Sequence, residues 1–176
     1  MLRGLVACCV LREETSMTFA QWLETVPLEL KGDPLWRTEV YRLSVFAADL
    51  AWPDATKLIQ DKRTISLADQ LYRAAGSVSA NIAEGYGRQS GKDQARYYEY
   101  ALGSAREARN WYYQSRHVLT ELVARHRMRL LTQIIRLLLT IIPSERGYKL
   151  QEEPAMYACD PEIPLSDLLT NIPMPD

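Results

Sequence analysis

The residue types best suited to catalysis or metal binding are scarce in this chain of 176 residues, which contains two histidines and three cysteines. A di-iron helical bundle needs Glu-x-x-His pairs on inward helix faces. Gln114 occupies the glutamate position for His117, and Val123 occupies it for His126. Neither histidine has a nucleophile and an acid at suitable helical spacings. The sequence therefore predicts no catalytic residue, no metal site and no cofactor, and we expect a protein that is not an enzyme.

The cysteines also indicate where the protein resides. Cys8 and Cys9 are adjacent, which leaves Cys159 as the partner of either and excludes a disulfide framework. A reducing compartment follows, and we expect a cytoplasmic protein. The apolar run that ends at Leu11 is about seven residues long, at the lower limit for a secretory signal. We expect either that Met17 is the true start or that the residues before it form a disordered leader.

The arginines and tyrosines of the predicted third helix have the best spacing for ligand binding. Three arginines and a tyrosine recur at intervals of three, four and three, which places them on one helix face. Arg96 lies near the start of this helix and Arg73 can join from the preceding one, while Tyr98, Tyr100 and Tyr112 offer rings on which bases can stack. The alternative is that salt bridges inside the protein occupy the same arginines. The residues predicted to contact RNA or DNA are Arg73, Arg96, Arg106, Arg109, Tyr113 and Arg116.

Charge is distributed unevenly along the chain, although the net charge is −1. Residues 57–149 contain sixteen basic and eight acidic side chains, whereas residues 150–176 contain six acidic and no basic ones. A basic middle favours a polyanionic partner, although a basic helix face can equally be solvated surface.

The elements that must position these residues are helices, because apolar side chains recur every three or four positions between Pro34 and Ile142. Short connections make consecutive helices antiparallel. The predicted fold is therefore all-α, an up-down-up-down antiparallel four-helix bundle. The predicted helices run from Leu35 to Ala51, from Ser66 to Gly85, from the residue after Ser90 to about Leu122, and from His126 to Ile142. Trp52, Pro53 and Asp54 are expected to end the first, and Ser66 with Asp69 to cap the second.

Polar residues and glycines cluster at the end of the predicted second helix. Asn81 and Glu84 fall near its apolar stripe, where an unpaired polar group is costly. We expect them to hydrogen-bond to neighbouring helices; the alternative is a ligand or subunit contact. The glycines are expected to stop the helix in the left-handed conformation rather than to bind phosphate, since no strand precedes them. The residues of this structural motif are Asn81, Glu84, Gly85, Gly87 and Arg88, with Arg88, Arg106 or Arg109 as the expected partner of Glu84.

The predicted fourth helix is apolar on two faces. It is too short, and too polar at Gln133 and Arg136, to span a membrane. One stripe consists of Leu130, Ile134, Leu137 and Ile141. The second stripe must be covered either by the N-terminal segment or by another subunit, and a homo-oligomer is expected. The predicted subunit interface consists of Leu131, Ile135, Leu138 and Ile142.

The predicted organisation has three parts. Residues 1–33 form a leader and a short amphipathic helix, residues 34–143 form the bundle, and residues 144–176 form an acidic, proline-rich, disordered tail. An apolar cluster around Leu168 in this tail could dock on a partner protein or on the chain itself.

Two segments resemble a known family. The segment from Leu67 to Ser90 contains QL-x-RAA-x-S followed by NIAEG-x-GR-x-S, and the segment from Tyr97 to Arg109 reads YYEYALGSAREAR. Both are similar to the bacterial four-helix-bundle family named for the 23S rRNA intervening-sequence protein. The resemblance extends from Trp36 to Ile142, and the linker from Trp52 to Thr64 departs from the family pattern.

The resemblance implies a bundle that assembles as a ring, commonly a pentamer, without known catalytic activity. Structurally related accessory proteins of diversity-generating retroelements form basic pentameric barrels that engage nucleic acid. Two functions are therefore expected as alternatives: a homo-oligomeric scaffold whose partners are itself and a protein bound by the tail, or an accessory protein that binds RNA or DNA.

Overall fold

The computed structural model describes residues 17–146 and 164–176, and within these ranges regular structure is helical, with one isolated bridge between Met17 and Ile172. Predictions that fall on residues 1–16 and 147–163 lie outside the described residues. The helices are α1 (Phe19–Thr25), α2 (Leu28–Lys31), a 3-10 turn (Pro34–Arg37), α3 (Glu39–Leu58), α4 (Ile65–Tyr86), α5 (Gly91–Leu119), α6 (Glu121–Arg146) and α7 (Leu165–Thr170).

Helices α3 to α6 form an antiparallel bundle. Each packs against the next in sequence, and α6 returns to pack against α3. The links are short, down to the single residue Thr120 between α5 and α6. Contacts pair residues on either side of each link, such as Trp52 with Tyr72 and Arg109 with Thr132. The all-α prediction is confirmed. None of the described helices is apolar over a stretch that would cross a bilayer.

Two prolines lie inside helices that they were expected to end. Helix α3 continues through Pro53 to Leu58, and α6 continues through Pro143 to Arg146. A proline removes one backbone donor from a helix. In α3 this loss is outweighed because Asp54 and Leu58, both beyond the proline, are fully buried by tertiary contacts. The predicted end of the first helix at Trp52 is wrong for this reason.

The capping of α4 at its start and the backbone conformation at its end both differ from the prediction. The helix begins at Ile65, and Asp69 pairs with Arg73 instead of capping it. It ends at Tyr86 with Gly87 at φ −76°, so the left-handed stop is not used. Gly85 is buried, and a Cβ there would lie 3.0 Å from Tyr97 Cβ. Close packing of α4 on α5 therefore explains this glycine. The left-handed backbone lies instead at Thr120, with φ 74°.

The predicted subunit interface on α6 is wrong. Leu131, Ile135, Leu138 and Ile142 are all buried inside the protomer, at most 1% exposed. Helix α6 is packed by α5 on one side, by α3 on another and by α7. The second apolar stripe is thus covered from within the chain, since a bundle helix flanked by two neighbours and a docked terminal segment has little free surface.

The end of the chain is also ordered where a disordered tail was predicted. Leu168 and Ile172 are buried in the core, and α7 contacts α1 and α6. The apolar cluster of this segment docks on the chain itself. The predicted partner protein of the tail now depends on residues 147–163, which lie outside the described part.

At the other end, the predicted amphipathic segment forms α1. Thr18 caps this helix with Gln21 in a reciprocal capping box. Trp22 is buried against Phe46 and donates its Nε1–H to Asp49 Oδ2 at 2.6 Å. The helix is thereby fixed to α3.

Candidate nucleic-acid interface

A basic face lies along the outside of the α5–α6 hairpin. Arg109 Nη1 donates to Thr132 Oγ1 at 3.2 Å, which fixes the antiparallel register. Positions three, four and seven residues from either member of this pair lie on the same helix face. On α5 and α6 these positions include six arginines, called here the basic face: Arg106, Arg109, Arg116, Arg125, Arg129 and Arg136.

Tyr113 and Arg116 form one unit of this face. The Arg116 guanidinium lies 4.0 Å from the centre of the exposed Tyr113 ring and donates to the Tyr113 carbonyl oxygen at 2.6 Å. The other arginines of the basic face are exposed or half-buried. Arg125 pairs with Glu121 at 2.7 Å. The structure thus brings Arg106, Arg109, Tyr113 and Arg116 onto one stripe and adds three arginines of α6 beside it.

Two of the predicted residues lie elsewhere. Arg73 is on α4, which packs between α3 and α5, and it pairs with Asp69 at 2.9 Å. Arg96 is thirteen residues before Arg109, which places it about 140° away from Arg109 around α5, and its Nε donates to Tyr100 Oη at 2.8 Å. Tyr98 and Tyr112 are buried, so the expectation that they offer stacking faces is wrong.

The structural motif of α4 is only partly as predicted. Arg88 pairs with Glu84 and also donates to Tyr97 Oη at 2.8 Å, so among the three candidate arginines Arg88 is the partner found. Asn81 donates to the Ser77 carbonyl oxygen of its own helix at 2.8 Å, not to a neighbouring helix. The reason is that a side-chain amide can reach the carbonyl one turn earlier.

Sequence reasoning missed a buried polar network. Arg127, only 1% exposed, donates from Nε to Asp54 Oδ2 at 2.8 Å and from Nη2 to Asp54 Oδ1 at 3.2 Å. Tyr112 Oη donates to the same carboxylate at 2.9 Å. Burial, followed by the charge of Asp54, raises the pKa of Tyr112 well above its ordinary value. The bidentate pair ties α3 to α6, and the hydrogen bond from Tyr112 adds α5.

His126 connects this network to the C-terminal segment. Burial, followed by the neighbouring Arg127, lowers the pKa of His126 to about 4. The imidazole is therefore neutral at pH 7. Its Nδ1 then accepts from Arg127 Nη1 at 2.9 Å, and its Nε2–H donates to the Leu168 carbonyl oxygen at 2.8 Å. The signal that could have indicated this site was weak, because Arg127 stands in a run of basic residues typical of surface.

Every polar group of this network bonds to another protein atom: the Asp54 carboxylate pairs with the Arg127 guanidinium and accepts from Tyr112, and His126 bonds to Arg127 and Leu168. This arrangement can serve as a structural anchor. Across the described ranges, no three histidine, cysteine or carboxylate side chains are placed to hold a metal ion.

An apolar surface lies on the opposite part of the bundle, on the α3–α4 hairpin. Trp52 is 65% exposed and Tyr72 is 45% exposed, and their rings contact edge to face at 5.8 Å between centroids. Ile59 and Ile65, on either side of the α3–α4 link, are also more than half exposed. These four residues are called the apolar patch.

Comparisons with known proteins agree with this fold. The family model described as 23S rRNA-intervening sequence protein matches residues 37–141. A crystal structure of a protein of unknown function from the S23 ribosomal protein family of Bacteroides thetaiotaomicron is 25% identical, with a TM-score of 0.55. The similarity covers 58% of this chain and 97% of that one. No curated protein matches the chain significantly.

Proposed function

This chain belongs to the 23S rRNA-intervening sequence protein family, and from that premise and the basic face we propose that it binds RNA or DNA without catalysing a reaction. The observation that carries the proposal is the alignment of six arginines on α5 and α6. The adjacent Cys8 and Cys9 favour a reducing compartment, so the cytoplasm is the proposed location.

The dimensions of the basic face suit a polyphosphate. From Arg106 to Arg116 the helix rises about 15 Å, a length over which nucleic acid presents several phosphates. Two parallel rows of guanidinium groups can contact phosphates without reading sequence. Such contacts are individually weak and depend strongly on salt.

Charge reversal on the basic face is expected to weaken binding of single-stranded RNA. The double variant Arg116→Glu/Arg129→Glu should lower the affinity for a labelled uridine oligomer at least 10-fold at 50 mM salt. The slope of log K against log salt should fall by about 1.4, because two phosphate contacts are lost at about 0.7 each. Fluorescence anisotropy at several salt concentrations measures both quantities.

A matched control is Arg63→Glu/Arg73→Glu, which makes the same charge change on the α3–α4 hairpin. Both of these arginines are exposed. Equal weakening in the two double variants would show a nonspecific charge effect and would remove the basic face from the proposal, as would the absence of any RNA binding at low salt.

The second candidate function is a self-assembling scaffold, and the apolar patch is the feature that favours it. Trp and Tyr are enriched at the centres of protein interfaces. An exposed tryptophan beside an exposed tyrosine is costly surface for an isolated protomer. The second stripe of α6 is buried within the protomer and cannot form a subunit interface. We therefore propose that the apolar patch forms the interface of a ring, which has five members if the resemblance holds.

Removing the indole from the apolar patch is expected to dissociate such an assembly. The wild-type chain should show a multiple of 20.2 kDa by light scattering, and Trp52→Ala should shift the mass toward one protomer. Because Trp52 is exposed, the fold should persist in this variant. Leu28→Ala removes another exposed apolar side chain, 80% exposed, and should leave the mass unchanged. A wild-type mass of one protomer at all concentrations would contradict the scaffold function.

A further inference from the structure

A polar cavity of about 320 Å³ lies at the corner where α4 ends and α5 begins. This volume is at the lower end of the range of small-molecule sites, about 300–1,000 Å³. The cavity is separate from the basic face, because its residues belong to the first three turns of α5 and to the link between α4 and α5. It is lined by Arg88, Asp93, Arg96, Tyr97 and Tyr100.

Two arginine–tyrosine pairs build the walls. The Arg88 guanidinium lies 4.5 Å from the centre of the Tyr97 ring and donates to its hydroxyl at 2.8 Å. Arg96 lies 5.7 Å from the centre of the Tyr100 ring and donates to that hydroxyl at 2.8 Å. The two rings meet edge to face, with centroids 5.8 Å apart and planes at 89°. The tyrosine ring of one pair can therefore stack on a flat group, while the arginine of the other pair contacts the substituents of that group.

The cavity is held in place from behind. Gly85 allows the close approach of Tyr97, since a Cβ there would lie 3.0 Å from Tyr97 Cβ. Glu84 pairs with one edge of Arg88. A guanidinium has five N–H donors, so further donors of Arg88 remain for a ligand.

We propose that this corner binds one guanosine phosphate unit, with the phosphate on Arg88 and Arg96, the base stacked on Tyr100, and the Asp93 carboxylate accepting from the base. The proposal rests on the proposed nucleic-acid binding and locates a base-reading site within it. The unit could belong to a strand or be a free nucleotide, because the chemistry is the same.

The base is assigned from the carboxylate. An ionised aspartate only accepts hydrogen bonds, and it has two oxygens. Guanine offers two adjacent donors on one edge, N1–H and the N2 amino group, which match two oxygens. Adenine and cytosine each offer one amino group on the corresponding edge, and uracil offers one ring N–H. A carboxylate next to two arginines therefore selects guanine while the arginines hold the phosphate.

The test compares GMP with AMP by calorimetry on the full chain at 50 mM salt. The wild type should bind GMP at least 10-fold more tightly than AMP. Asp93→Asn should abolish that preference, because an amide cannot accept at both atoms, and Arg96→Ala should lower the affinity for both nucleotides at least 5-fold. Asp69→Asn, an exposed aspartate on α4, is the matched control and should change neither.

A second arm distinguishes the source of the unit. A uridine oligomer with one central guanosine is compared with the same oligomer containing adenosine. A preference for the guanosine oligomer that Asp93→Asn removes assigns the site to a strand; a preference seen with GMP alone assigns it to a free nucleotide. Equal affinities for GMP and AMP, or a preference that survives Asp93→Asn, would overturn the proposal.

The two failures are separable. Arg116→Glu/Arg129→Glu should weaken binding of the uridine oligomer and leave GMP binding unchanged. If that variant weakens RNA binding but the corner variants have no effect, the corner proposal fails and the proposed function stands. If GMP binds as described but no oligomer binds, the proposed function fails and the corner is a mononucleotide site.

Discussion

Replacing Asp54 with alanine is expected to destabilise the protein by about 3–5 kcal/mol, because it leaves the Arg127 guanidinium charged, buried and without its carboxylate. Arg127 is 1% exposed and cannot turn toward water without opening the bundle. Tyr112 also loses its acceptor at 2.9 Å. Urea unfolding followed by circular dichroism at pH 7 measures the change.

The exposed pair Arg73–Asp69 supplies the matched control. Asp69→Ala removes a carboxylate from a solvent-exposed ion pair and should cost less than about 1 kcal/mol. The double variant Asp54→Ala/Arg127→Met removes both buried charges and should be more stable than Asp54→Ala alone. A cost below 1 kcal/mol for Asp54→Ala would mean that water reaches Arg127, and the interpretation of the network as a dry anchor would be wrong.

Removing residues 164–176 is expected to have a similarly large effect. Leu168 and Ile172 are buried, and full burial of two such side chains contributes roughly 3–6 kcal/mol. The hydrogen bond from His126 to the Leu168 carbonyl oxygen is lost as well. A chain ending at residue 163 should therefore unfold at a clearly lower urea concentration. Double replacement of Leu168 and Ile172 by alanine should reproduce most of the loss without shortening the chain.

The same truncation should change the dependence of stability on pH. In the folded chain the pKa of His126 is lowered to about 4, while an unfolded chain binds the proton near 6.5. The unfolded state therefore gains protons first as the pH falls, and stability decreases from about pH 6.5 to about pH 4, by roughly 3 kcal/mol in all. Without α7, water reaches His126 and this contribution shrinks. Parallel pH profiles in the full and the truncated chain would contradict the contact.

Local patterns in the chain were sufficient for the four helices of the bundle, but not for α7. The recurrence of apolar residues at three and four positions predicts α3 to α6, because a helix must bury one continuous side. The segment from Leu67 to Ser90 indicated the family, which the family match confirms. The end of α4 was also predicted to within one residue, at Gly85, and the helix ends at Tyr86. The predicted reason for Gly85 was wrong, because the sequence does not show that Tyr97 packs against this glycine in the fold.

For the candidate surfaces, sequence periodicity placed Arg106, Arg109, Tyr113 and Arg116 on one face of one helix. It does not show which arginines of α6 lie beside them, since that depends on the register set by Arg109 and Thr132. The sequence analysis also predicted that the second apolar stripe of α6 is exposed on the protomer. Periodicity shows which residues share a helix face, but it does not show which other segment packs on that face.

The sequence by itself determined the all-α class, the approximate helices and the excess of positive charge in the middle of the chain, because these follow from neighbours within a few positions. The tertiary structure alone decided that the second stripe of α6 is covered, that the C-terminal segment docks, and that Asp54 meets Arg127, 73 residues away. The physical reason is that burial and pairing depend on segments brought together by the whole fold. The free energy of burying a charged side chain depends on the groups that surround it in the fold, not on its position in the sequence.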